Sequence, residues 1–259
     1  MSDHLHQQTL QDWLQREPFT LALSAGFFGF FAHAGMLAAL EERGVAPARL
    51  TGSSAGALVT GAWASGVSAT ELADVLTQIT RGDFWDPSLG FGLLRGDRFR
   101  EILRDTLGCT DFGECRAPLS VSVWRVGERK TEVLEDGDLA SAIHASCCFP
   151  GLLQPVRRNG RLYLDGGIAD RPALAGVAPG TRVFHHHLAS KSPWRLALPT
   201  PEADGMMTLS ISGLPRLSPF DLSGGPAAFE NARRSTREAL DSPVRSKIAL
   251  AASPDPLTR

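Results

Sequence analysis

Mostly apolar residues run from 19 to 23, break at Ser24, Ala25 and Gly26, and resume into a long uncharged stretch that ends at Leu40, before Glu41, Glu42, Arg43 and Gly44. That order predicts a buried strand over 19–23, a turn over 24–29 and a helix over 31–43 stopped by Gly44. The pattern then recurs. Residues 49–51 predict a second strand, 52–56 a second turn and 57–65 a second helix closed by Gly66. Two strand-turn-helix units in succession predict an α/β fold with a mainly parallel central sheet, in which functional groups gather at the carboxyl ends of the strands. Both glycine turns then lie on one edge.

Further along, Ser68 caps a helix reaching Ile79, and 97–107 predicts another, with the Phe-, Trp- and Gly-rich residues 82–96 between them as a loop or lid. Alternation predicts strands over 119–124 and 130–134, then a short helix over 139–145 and a strand over 161–164 that runs into Asp165-Gly166-Gly167. Residues 181–187 predict one more strand. Prolines are frequent from 192 to 226, before an amphipathic helix over 227–240 with Phe229, Ala232, Thr236 and Leu240 on one side. Its Arg233, Arg234 and Arg237 read as a solvated face, with contact to anionic lipid as the alternative. The expected organisation is an N-terminal extension (1–18), a single domain (19–250, with its motifs in 19–175) and a C-terminal tail (251–259).

Composition narrows the function classes. Hydrophobic residues at 43% and charged residues at 21% fit a packed globular chain, and a net charge of -2 provides no footprint for nucleic acid. Residues 21–40 lack Asp, Glu, Lys and Arg and are long enough to span a bilayer, but Ser24, Gly26, Gly29, His33 and Gly35 interrupt them. A strand, turn and helix account for the same letters, so no transmembrane segment is expected. The first eighteen residues contain Asp3, Asp12, Arg16 and Glu17 without an apolar core, unlike a secretory signal, which makes the expected location cytoplasmic, with peripheral membrane contact. Cys109, Cys115, Cys147 and Cys148 show no paired Cys-x-x-Cys spacing and read as reduced thiols. Neither a metal nor a cofactor is expected.

Gly52-Ser53-Ser54-Ala55-Gly56 matches G-x-S-x-G, the turn that lifts a nucleophilic serine above a sheet edge. Alone, the match is weak, and a small-residue helix cap explains it equally well. A serine also needs a base within reach and donors for the oxyanion. The turn over 24–29 opens a helix, so the backbone N–H groups of Ala25, Gly26, Phe27 and Gly29 are the candidate donors. Two bases compete. Asp165 stands at a strand end, while His185, His186 and His187 follow on a later strand, where only His185 and His187 share a side. Ser54, Asp165 and either histidine would follow the chain order of an α/β-hydrolase triad.

A glycine turn after the first strand, G-x-S-x-G, and a distant D-G-G together resemble the patatin-like phospholipase family. Ala32-His33-Ala34-Gly35, the segment from Ala145 to Gly151 (ASCCFPG) and Arg161-Leu162-Tyr163-Leu164 carry the same resemblance. It implies a three-layer α/β/α fold and a Ser54-Asp165 dyad without histidine, supported by Gly52, Gly56, Gly166 and Gly167. Its first turn looks closer to that of the adipose triglyceride lipase branch. The implied activity is hydrolysis of a lipid or fatty-acyl ester through an acyl-enzyme, with Asp165 as proton acceptor. The competing readings are a Ser-His-Asp esterase using His185 or His187, and a lipid-binding or regulatory module without turnover.

Overall fold

The computed structural model describes residues 8–26, 29–188, 200–215, 217–218, 221–244 and 246–252. In chain order the elements are α1 (Leu10–Arg16), β1 (Thr20–Leu23), α2 (Phe30–Glu42), β2 (Arg49–Ser53), α3 (Ala55–Ala64), α4 (Ala69–Gln78), α5 (Arg81–Phe84), β3 (Gly92–Leu94) and α6 (Asp97–Thr106). There follow β4 (Leu119–Arg125), β5 (Lys130–Leu134), α7 (Leu139–Ser146), β6 (Gly151–Leu153), β7 (Val156–Arg158), β8 (Arg161–Asp165), β9 (Val183–His187), β10 (Met206–Ser212), α8 (Gly225–Asp241) and β11 (Ile248–Ala252).

Nine strands form the main sheet in the order β11-β10-β9-β1-β2-β4-β8-β7, with β5 also paired to β4. From β11 to β4 every pairing is parallel. All four residues of β1 are buried, as a parallel strand covered on both faces requires. Successive side chains alternate between the faces: Leu21 and Leu23 belong to the main helix-covered core, while Ala22 joins Val183 and Met206 beneath loop residues Leu174 and Val177. At that point the second face is closed by the loop. Helix α2 is buried continuously from Phe31 to Leu40 because the sheet side and α8 enclose it. This burial explains the charge-free run over 21–40. Among the described residues no helix is long and apolar enough to cross a membrane.

Several elements had no clear signature. Helix α1 starts at a capping box between Thr9 and Asp12 and buries Leu10 and Leu14 in the main core, so part of the expected extension packs with the domain. The segment 82–96 holds most of α5 and all of β3, and β3 pairs with β6 in a separate two-stranded ribbon. Strand β10 lies inside the proline-frequent stretch, and β11 crosses the expected boundary at 250. On α8, Arg233 and Arg237 are ion-paired to Glu42, and Arg234 donates to Asn231. These pairings tie α8 to the end of α2.

Candidate active site

Strand register brings the motifs to one level of the sheet. Leu23 pairs with Gly52, Ser53 with Ser122, and Val123 with Asp165. Strand β4 continues past that level to Arg125 and carries β8 back antiparallel, so β8 ends at Asp165 beside the point where β2 ends at Ser53. Ser54 and Asp165 therefore flank β4, two strand spacings or about 10 Å apart along the sheet. Their side chains close that gap.

Ser54 is the N-cap of α3 with φ 53° and ψ −118°, a left-handed backbone that non-glycine residues seldom adopt. The neighbouring small residues are what permit it. A Cβ on Gly56 would lie 2.0 Å from the Leu23 carbonyl oxygen, and one on Gly52 would lie 2.6 Å from the Ala57 backbone. The Ser54 N–H donates to Ser146 Oγ at 2.9 Å, and Ser146 Oγ donates in turn to the Ser122 carbonyl at 2.7 Å. Cys147 Sγ donates to the Ser54 carbonyl at 3.3 Å. Burial first, then the charge of Asp165, raises that thiol well above its usual pKa, so it stays a donor.

The Ser54 hydroxyl donates to Asp165 Oδ2 at 2.7 Å, and the Gly167 N–H donates to Asp165 Oδ1 at 2.8 Å. One carboxylate oxygen is held by backbone while the other receives the serine. Gly166 is obligatory at this bend because a Cβ would meet the Ser122 carbonyl oxygen at 2.1 Å. Asp170 anchors the following turn by accepting from Ser122 Oγ at 2.5 Å and from the N–H groups of Leu174 and Ala175 at 2.9 and 3.0 Å.

Beside the dyad lies a cavity of about 250 Å³ whose polar end holds Ala25, Gly26, Ser54, Asp165 and Gly167. Its remaining walls are apolar: Leu58 from α3, Leu76 from α4, Phe84 from α5, Leu94 from β3 and Phe99 and Ile102 from α6. Phe30 also faces it, whereas Phe31 is fully buried core. An apolar cavity ending in a few converging polar groups suits a ligand with a hydrocarbon chain and one reactive carbonyl.

The turn after β1 has fewer open donors than its sequence allows. Ala25 N–H donates to the Arg171 carbonyl at 2.7 Å and Gly29 N–H to the Gly26 carbonyl at 2.9 Å. Those two groups are spent on shaping the turn. Gly26 remains on the cavity wall, and Phe27 lies outside the described residues.

The histidines occupy a different place. β9 and β8 are separated by β1, β2 and β4, which sets the histidine run four strand spacings, on the order of 19 Å, from Asp165. That spacing keeps Asp165 out of hydrogen-bond reach of His185 and His187. His185 and His187 share a side, with ring centroids 5.7 Å apart, while His186 turns to the opposite face and meets His33 of α2. Burial depresses His185 to about 3 and lowers His187 from its ordinary value. Among the described residues no group of His, Cys, Asp or Glu is arranged to hold a metal ion.

The family model described as patatin-like phospholipase matches residues 21–176. The chain belongs to this family. An uncharacterized NTE family protein of Mycobacterium tuberculosis is 35% identical over 161 residues, covering 61% of this chain and 45% of that protein. Lysophospholipase NTE1 of Candida glabrata is 28% identical over 177 residues, 64% of this chain and 10% of that protein. The chain thus spans less than half the length of these relatives. Among solved structures, VipD from Legionella pneumophila superimposes with a TM-score of 0.65 at 16% identity, covering 88% of this chain and 67% of that one. Its likeness establishes a shared patatin-like fold. Ser54, Asp165 and the strands that carry them all fall inside the matched region.

Residues without a legible role in the sequence also contribute. Ser146 sits in the ASCCFPG segment, whose small residues gave no hint that its hydroxyl would accept the Ser54 N–H. Asp170 lacked any signal beyond its place after D-G-G.

Proposed function

We propose that the protein is a serine hydrolase of lipid carboxylic esters, with Ser54 as nucleophile and Asp165 as proton acceptor. The 2.7 Å hydrogen bond from Ser54 to Asp165 at the polar end of the apolar cavity carries this reading. As Ser54 Oγ attacks the ester carbonyl, its proton passes to Asp165 Oδ2. The Gly26 N–H, on the cavity wall beside Ser54, is the donor assigned to the developing oxyanion. Collapse of the tetrahedral adduct expels the alcohol, which takes the proton from Asp165 and leaves an acyl-Ser54 ester. Water then attacks that ester and gives a proton to Asp165, which passes it to Ser54 Oγ as the fatty acid is released. The cavity holds the acyl chain, and the proposed setting is cytoplasmic with peripheral contact to membranes.

A fluorophosphonate probe tests the assignment. Labelling of the wild type and its loss in Ser54→Ala is the expected result; a folded wild type that takes no label would favour a binding module. Nitrophenyl esters of increasing chain length, assayed beside a phospholipid and a triglyceride, then define the substrate.

A further inference from the structure

Residues 87–94 read Pro-Ser-Leu-Gly-Phe-Gly-Leu-Leu, an uncharged span between Asp86 and Arg95. Leu89 is 100% exposed and Phe91 90% exposed, more than any other large apolar side chain among the described residues. Such exposure in a folded segment requires support. Gln154 Nε2 donates to the Leu89 carbonyl at 3.1 Å, Ser88 N–H donates to the Leu93 carbonyl at 3.2 Å, and β3 is paired with β6. The charge that borders the tip is also tied down, since Asp86 accepts from the N–H groups of Gly96 and Arg98.

This ribbon has two sides. Leu94 is buried and lines the cavity with Leu153, whereas Leu93 of the same strand is half exposed. Immediately before β6, Phe149 lines the cavity and reaches solvent, as does Ile168 after the D-G-G bend. The exposed apolar residues are thus continuous with the cavity that contains Ser54.

We infer that Leu89 and Phe91 insert into the surface of a phospholipid bilayer, with Leu93, Phe149 and Ile168 resting against it, so that lipid passes into the Ser54 cavity without crossing water. The inference rests on the proposed lipid-ester substrate. A second copy of the chain is a poorer occupant: the exposed groups present on the order of 500 Å², short of the roughly 800 Å² per partner of a stable protein interface. Two side chains standing out from a braced tip need no complementary shape, which a fluid acyl layer supplies.

Flotation with vesicles of phosphatidylcholine and phosphatidylglycerol tests the inference on the full chain, in a Ser54→Ala background that leaves the lipid uncleaved. The Leu89→Ser/Phe91→Ser double substitution should lower vesicle partitioning at least about tenfold. Placed in the active protein, the same pair should leave turnover of a water-soluble monomeric ester unchanged while reducing turnover of vesicle lipid. Emission of F91W should shift to the blue on vesicle addition. Absence of vesicle binding by the parent, or equal binding by the double variant, would overturn the inference. So would a concentration-dependent dimer, measured by sedimentation, that the double substitution abolishes while vesicle binding persists. Vesicle binding is read without turnover, so a failure of fluorophosphonate labelling would refute the catalytic reading separately.

Discussion

His33 and His186 face each other Nδ1 to Nδ1 at 2.9 Å inside the core. The second nitrogen of His33, Nε2, lies 2.8 Å from the Ser24 carbonyl, which can only accept. His33 therefore carries its proton on Nε2 and offers a bare Nδ1 to the His186 N–H. Burial lowers His33 to about 4 and holds His186 well below its ordinary value, as this neutral pairing requires. The pair fastens α2 to β9 directly behind the turn that faces the cavity.

Acid should loosen this fastening. Folded-state values lie below the unfolded value near 6.5, so the unfolded chain binds more protons, and the stability of the neutral rings is full above pH 6.5 and lost as pH falls towards 4. His144, lowered to about 4, and His185, lowered to about 3, act in the same direction. His33 alone accounts for on the order of 3 kcal/mol. The melting temperature should fall steadily from pH 6.5 to 4.5; a flat profile would contradict neutral, unprotonated rings.

The backbone at Ser54 predicts a trade between activity and stability. Its φ of 53° costs a non-glycine residue on the order of 1–3 kcal/mol. Ser54→Gly should abolish hydrolysis yet unfold at a higher urea concentration than Ser54→Ala. Equal midpoints would mean that the turn is not strained.

Asp165→Asn preserves shape while removing the acceptor charge. kcat should drop by about 10³-fold or more, with much less change in KM, because the lost interaction strengthens only as the serine proton moves. Replacing His185 and His187 by Asn should leave far more activity in the folded protein. The opposite ranking in ester turnover would restore the histidine mechanism.

Chain-length preference should follow the end of the cavity. A smaller void of about 20 Å³ continues beyond it, lined by Leu58, Leu76, Phe99 and Ile102 together with Ala62 and Leu103. Phe99→Ala should join the two spaces and move the optimum towards longer acyl esters, while Ala62→Phe should close the void without shortening the first cavity. A series of nitrophenyl esters reads both changes.

Arg233 and Arg237 make a contrasting case. Their pairing to Glu42 is partly exposed, and such pairs contribute about 0–1 kcal/mol. Replacing both by Ala should cost little stability and leave vesicle flotation unchanged; a large loss of flotation would shift membrane contact to α8.

How far the sequence foretold this arrangement depended on whether a feature was local. The β1-turn-α2 and β2-turn-α3 units were legible because breaks in apolar runs coincide with Ser24–Gly26 and Gly52–Gly56. Strands β10 and β11 were not, since β10 begins among prolines and each is stabilised by pairing along the sheet, a distant relationship. The spent N–H groups of Ala25 and Gly29 were equally hidden: one depends on Arg171, far downstream. The histidine run looked like a catalytic reserve because adjacency in letters says nothing about the three strands between β9 and Asp165.

The close approaches at Gly56 and Gly166 bear on how this chain can change over generations. Each glycine abuts a backbone carbonyl, of Leu23 and Ser122, so its replacement is opposed by folding regardless of whether any ester is cleaved. Ser54 and Asp165 have no such protection, and a descendant relieved of hydrolysis could exchange them while keeping both bends. In such a lineage the motif would erode from its centre, leaving glycines as the imprint of a chemistry already gone.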